Sequence, residues 1–195
     1  RRIAKQGYFC VLPDMYYRLG TIRFDLPRRN DGMSAVVMAS MNHLTNADVV
    51  DDTAGILGFL DAQDKCAPGA IGCVGHCMSG QFITTVAAKF PTRIVAAASM
   101  YGVKIVTDQE DSPHLLLDQV RGELYYAFAE VDAHVPDHVI PDLSAALETA
   151  GVSHEVEVFP GTEHGFQFAE RAVYAPIAAE EAWDKIFALW QRRLK

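Results

Sequence analysis

Residues 71–83, Ile-Gly-Cys-Val-Gly-His-Cys-Met-Ser-Gly-Gln-Phe-Ile, decide how the rest of the chain is read. Ile71 to Gly75 is a short apolar run of the kind that forms a buried strand. Met78 to Phe90 carries Phe82, Ile83, Val86, Ala87 and Phe90 at helical spacing and is stopped by Pro91. Between the two lies Gly75-His76-Cys77-Met78-Ser79-Gly80, a small-x-Cys-x-small turn. When a strand turns sharply into a helix, the strand end and helix start nearly touch. The residues two before and two after the apex must then be small, and the apex side chain is strained and exposed. Gly75 and Ser79 meet that demand, and Gly80 adds clearance. A thiol at the apex also sits at a helix N-terminus, whose dipole favours thiolate. The plainer alternative is a structural cysteine on a Gly-rich turn.

Downstream, strand and helix alternate. Ile94 to Tyr101 and Leu124 to Ala129 are continuous apolar runs, as expected for strands covered on both faces. Leu143, Leu147 and Ala150 mark a helix ending at Gly151, and His154 to Phe159 alternates like an edge strand. Pro176 opens a last helix with Trp183, Ile186, Phe187, Trp190 and Leu194 on one side. Upstream, Val49, Thr53, Ile56, Leu57 and Leu60 form a helical stripe, with Thr45 or Asn46 as N-cap and Pro68-Gly69 closing the connection. Residues 18–45, with Arg23, Arg28 and Arg29 beside Pro27 and Asp31-Gly32, are expected to be a loop with broken helix. Phe9 to Leu12 is expected to be a buried strand ending at Pro13-Asp14. The pattern predicts an α/β fold, a doubly wound and mainly parallel sheet flanked by helices, in a single domain over residues 1–195.

Composition narrows the function. The 195 residues are 50% hydrophobic, enough for one well-buried domain. A net charge of −8 argues against a nucleic-acid binder, which would need a basic face. The longest apolar stretch, Ile94 to Val103, is about half a membrane span, and no signal-peptide pattern is present. Cys10, Cys66, Cys73 and Cys77 have neither framework spacing nor a CxxC, so a reduced, cytoplasmic protein is expected.

In doubly wound sheets, ligands sit at the carboxyl ends of strands. Besides Cys77, two candidates fall there: Asp132 in Glu130-Val131-Asp132-Ala133-His134-Val135-Pro136, and His164 in Pro160-Gly161-Thr162-Glu163-His164-Gly165-Phe166. A lone Asp there is more often a helix cap, and a lone loop His is usually without a role. Together they follow the α/β-hydrolase order of nucleophile, acid and base.

At these residues the chain resembles the dienelactone hydrolase family (carboxymethylenebutenolidases). GHCMSG, EVDAHVP and PGTEHGF are similar to that family's nucleophile, acid and base motifs. VLPDMYYR near the start resembles its PDLY-type segment, and Tyr101-Gly102 its Tyr-Gly pair. The resemblance implies an α/β-hydrolase that cleaves an ester or lactone through Cys77, Asp132 and His164, with the Met78 backbone N–H in the oxyanion hole. It places Tyr16, Arg18, Phe166 and Phe168 at the substrate. It implies no cofactor and no metal, a small-molecule partner, neither nucleic acid nor membrane, and a monomer or homodimer. In the family, three strands and a helix precede the PDLY-type segment and supply a second oxyanion amide and a glutamate that holds the thiol. Asp14 is not that glutamate, so the chain is expected to be N-terminally incomplete. The family's carboxylate-binding arginine lies four residues after the catalytic His, where Phe168 stands here.

Other readings are weaker. His134 and His138 have helical i,i+4 spacing, but Pro136 separates them and no HExxH occurs, so zinc is not expected. Gly69, Gly72 and Gly75 lack the order of a phosphate-binding loop. Cys73 is expected to point into the sheet layers, which argues against a redox pair with Cys77. Trp183, Phe187 and Trp190 read as core. The alternative class of function is a non-catalytic binding or regulatory protein on a hydrolase scaffold.

Overall fold

Four strands, β1 (Ile71–His76), β2 (Ile94–Met100), β3 (Glu123–Val131) and β4 (Ser153–Glu163), pair in parallel in the spatial order β1-β2-β3-β4. In a parallel sheet wound in one direction, right-handed crossovers send every connection over the same face. Here α4 (Ser79–Lys89), the 3-10 helix Pro113–Gln119 and α5 (Val139–Ala150) pack against one another on that face. The final helix, α6 (Pro176–Arg193), packs on β1, β2 and β3 from the other side. Strand alternation sorts the two faces. A Cβ on Gly75 would meet Ile83 of α4 at 2.6 Å, while one on Gly72 would meet the Trp190 indole at 2.8 Å. The expected α/β architecture, a parallel sheet flanked by helices, is therefore present, but the reversal of strand order that double winding requires does not occur among the described strands.

This computed structural model describes residues 1–25 and 28–194. The chain divides into two compact units, Arg1–Gly69 and Ala70–Lys195. The second unit holds the sheet. Its main core joins Ile83, Ala87, Ile94, Ala97, Leu124, Tyr126, Phe128, Leu143 and Leu147 between sheet and helices. Thr84 and Tyr126 satisfy one another's hydroxyls inside it at 2.8 Å. Cys73 packs against this core, and burial pushes its thiol up to about 12. Of the expected aromatic stripe, Phe187 and Trp190 are buried, and Trp183 stacks on Phe187 at 5.6 Å.

The first unit contains α1 (Arg2–Lys5), a 3-10 turn at Tyr17–Leu19, α2 (Asp31–His43) and α3 (Asn46–Asp61). The expected helix start at residue 46 is closed by a capping box, in which the Thr45 side chain accepts from the Asp48 N–H and Asp48 accepts from the Thr45 N–H. Two expectations are corrected here. Phe9 to Leu12 forms no strand. Leu12 is 92% exposed, and an apolar run becomes a strand only where a neighbour supplies the ladder. Residues 31–43 form one continuous helix rather than a broken one. It starts where the Asn30 side chain accepts from the Met33 N–H at 2.8 Å. Its Met33, Val37 and Met41 are partly covered while Val36 and Met38 are half exposed, so apolar residues on several sides blur the stripe that would announce it. Pro27, part of that stretch, lies outside the described residues. Among the described residues, no helix is long and apolar enough to cross a membrane.

Candidate active site

The apex of the strand-to-helix turn is built as the sequence demands. Cys77 has φ 54°, a left-handed conformation unfavourable to any residue with a side chain. Met78 returns the chain to helical geometry at φ −53°, ψ −33°, so α4 begins directly below the thiol. The clearance is tight. A Cβ on Gly75 would lie 2.6 Å from the Ser79 carbonyl oxygen, and a Cβ on Gly80 would overlap the backbone of Gly102. Three hydrogen bonds hold the turn. The Cys77 N–H donates to the Met100 carbonyl (3.0 Å), and the Cys77 carbonyl accepts from Gly80 N–H (3.0 Å) and Val103 N–H (3.1 Å).

Asp132 and His164 follow β3 and β4, which are hydrogen-bonded neighbours, so their loops emerge side by side. The Gly161 N–H donates to Glu130 Oε2 at 2.7 Å and ties one loop to the other. Asp132 Oδ2 accepts from His164 Nδ1 at 2.7 Å, and Oδ1 accepts from the His134 N–H at 2.9 Å. Asp132 caps no helix; the N-cap of α5 is His138. Both partners are well covered, with side-chain exposures of 4% for Asp132 and 11% for His164. The Nδ1 bond turns the other ring nitrogen away from the carboxylate. That atom, Nε2, is buried without an aligned hydrogen-bond partner, although Cys77 is near enough to act on the ring. Loose contacts of this kind are common before substrate binds. His134 packs edge-on against His164 at 4.7 Å.

Burial opposes charge on His164, but hydrogen bonding to Asp132 and then Cys77, together with their charges, outweighs it. The ring is pushed up to about 9 from its ordinary 6.5. A histidine raised in the folded state stabilises the fold fully below about pH 6.5, and that contribution disappears as pH climbs through about 9. Unfolding free energy should therefore decline across this window by on the order of 1–2 kcal/mol, after allowance for solvent screening. Asp132→Asn should flatten the decline. Urea titrations of both proteins from pH 6 to 10 would measure it, and an identical slope in the two would refute this assignment.

The remaining sequence candidates divide between the units. Phe166 is fully buried against Tyr101 (5.5 Å) and Phe159 (5.3 Å), whereas Phe168 is 43% exposed and lies 5.1 Å from the His76 ring. Tyr16 and Arg18 belong to the first unit. There Tyr16 packs edge-on against Phe24, and Arg18 is bound by Asp52 through both terminal nitrogens at 2.6 and 2.9 Å. Two residues at the site escaped sequence reasoning. Arg171 lays its guanidinium over Gly165, so a Cβ there would lie 3.0 Å from Cζ, and among the described residues no carboxylate pairs with it. It lies seven residues beyond His164 in a segment that is neither helix nor strand, so spacing gives no sign of it; a turn closed by Arg171 N–H to the Phe168 carbonyl (3.0 Å) brings it back. His76 lies under Tyr101, Phe168 and Trp183, and burial lowers it to about 4, which keeps it neutral.

A parallel sheet with a strained strand-to-helix turn presenting a thiol, and an Asp-His pair on neighbouring strand ends, has the architecture of an α/β-hydrolase. Comparison with solved structures agrees on the fold. A putative dienelactone hydrolase from Klebsiella pneumoniae superposes with a TM-score of 0.84 at 23% identity, over 98% of this chain and 78% of that one. The dienelactone hydrolase-like promiscuous phosphotriesterase P91 from metagenomic libraries gives 0.77 at 16% identity, over 99% and 78%. The chain belongs to the dienelactone hydrolase family, whose model matches residues 1–194, and it is a lactone or ester hydrolase by that membership. It is 29% identical to a putative carboxymethylenebutenolidase of Synechocystis over all of this chain and 78% of the relative. A relative of the same name in Methylorubrum extorquens is 23% identical over 95% of this chain and 63% of its own length.

Proposed function

We propose that the protein hydrolyses a small ester or lactone through a Cys77-His164-Asp132 triad and a thioester on Cys77. The observation that carries this is the Asp132–His164 hydrogen bond at 2.7 Å beside a thiol held at φ 54° on the strand-to-helix turn. His164, oriented through Nδ1 by Asp132, is the base that takes the Cys77 thiol proton. The thiolate attacks the acyl carbonyl, and the backbone N–H of Met78, at the start of α4, is the donor for the oxyanion. His164 protonates the leaving oxygen and then activates water against the thioester, while Asp132 holds the ring in one tautomer. A thiolate expels alkoxide or enolate more easily than amine, which favours esters and lactones over amides.

Arg171, over Gly165 and without a carboxylate partner among the described residues, supports a substrate that carries an anionic group. Phe166 and Phe168 fit as apolar wall, and Tyr16 and Arg18 stay as candidates on the family resemblance alone. The match across residues 1–194 supports one α/β-hydrolase domain. Four unpaired cysteines fit a reducing cytoplasm, which cell fractionation would test. Rapid mixing with p-nitrophenyl acetate should give a burst of p-nitrophenol and an acetyl group on the peptide containing Cys77. A burst that acetylates some other residue, or turnover with no acyl-enzyme on Cys77, would remove the thioester route. A carboxylate-bearing ester should show the lower KM of a neutral and anionic pair, and equal values would remove the anionic group.

A further inference from the structure

We propose that Tyr101 is a further catalytic residue, its phenol donating a hydrogen bond to the oxygen that turns negative when Cys77 attacks an acyl carbonyl; this rests on Cys77 being the nucleophile. The backbone places it there. Cys77 is bonded to Met100 through its N–H and to Val103 through its carbonyl, so the turn that carries Tyr101 is clamped to the nucleophile's own peptide groups. Tyr101 has φ 39°, a left-handed conformation costly for a bulky residue, and its N–H donates to the Ala127 carbonyl at 2.6 Å. The ring is fully buried, edge-on to His164 at 5.1 Å and against Phe166 at 5.5 Å. Phenylalanine would satisfy all of that packing. The hydroxyl, however, is buried with no hydrogen-bond partner among the described residues. A strained residue that keeps an unsatisfied buried donor beside a nucleophile marks function rather than stability. Burial, then the charge of Cys77, holds the phenol above its ordinary range while Arg171 opposes, so it acts as a donor and not as an acid.

In the step itself, the thiolate pair forms the S–C bond and the carbonyl π pair moves onto oxygen. The Tyr101 O–H donates to that oxygen without losing its proton. When the carbonyl re-forms, the bond to the leaving oxygen breaks and that oxygen takes its proton from His164.

Y101F tests this, with C77A as control, in p-nitrophenyl acetate turnover and thermal unfolding. Loss of one oxyanion donor should lower kcat by about 10²-fold with KM little changed. Removing an unsatisfied buried hydroxyl should leave Tm unchanged or raise it by a few degrees, roughly 2–4 °C. The pH profile of kcat should not move, since the phenol does not titrate. Wild-type kcat in Y101F with an inactive C77A would overturn the role of Tyr101 alone. A Tm that falls along with activity would make the hydroxyl a structural group. Full activity in C77A would remove the nucleophile and this inference with it.

Discussion

Exchange of Cys77 for alanine is expected to lower kcat/KM for p-nitrophenyl acetate by about 10⁵-fold or more, while Tm and far-UV circular dichroism stay at wild-type values. The size follows from what the side chain does. A nucleophile splits one difficult displacement into two easier ones, and no neighbouring group can take its place. Only oxyanion donors and binding then act on a water molecule. The unchanged stability follows from the turn. Alanine meets the left-handed backbone at φ 54° no worse than cysteine does, and the three hydrogen bonds that hold residue 77 are all made by its peptide groups. His164→Ala should come close to the same loss, because nucleophile and base act as one unit, and combining the two changes should add little. Turnover of C77A at more than a few per cent of wild type would end the catalytic reading and favour a scaffold that binds without reacting.

Gly80→Val carries the largest structural effect. The added Cβ would be driven into the backbone of Gly102 and to 2.7 Å from Ser99 Oγ, where backbone rather than a flexible side-chain tip must give way. We expect a loss of about 3 kcal/mol or more, which corresponds to a fall in apparent Tm of roughly 6–12 °C for a chain of this size. The same displacement moves residues 100–103, to which both the N–H and the carbonyl of Cys77 are bonded, so activity should fall further than stability. Gly80→Ala should lie between wild type and valine. Calorimetry of the three proteins measures the effect, and a Tm of the valine variant within about 2 °C of wild type would mean that α4 and the Gly102 turn are not in close contact.

Local patterns carried most of the second unit. The strand at 71–75, the helix from 78, the left-handed Gly151 that ends α5 and the Pro176 start of α6 each answer to a short-range rule of turn chemistry or periodicity. The first unit was less legible. α2 carries half-exposed Val36 and Met38 as well as the more covered Met33, Val37 and Met41, so its apolar face does not stand out in the sequence. Phe9–Leu12 has strand composition without a ladder, because composition does not supply a partner.

By itself, the sequence determined the turn at Cys77. Only small residues allow a strand end and a helix start to approach so closely, and Gly75, Ser79 and Gly80 stand where that contact falls. The order of thiol, acid and imidazole along the chain was equally plain. Which groups meet the thiol was decided only by the tertiary structure. The parallel pairing of β3 with β4 brings Asp132 within 2.7 Å of His164. A turn folds Arg171 back over Gly165, and the clamp between Cys77 and residues 100–103 sets Tyr101 beside the triad with its hydroxyl unsatisfied. Such contacts join residues far apart in the chain, and their geometry depends on strand register and crossover handedness, which no short stretch of sequence encodes.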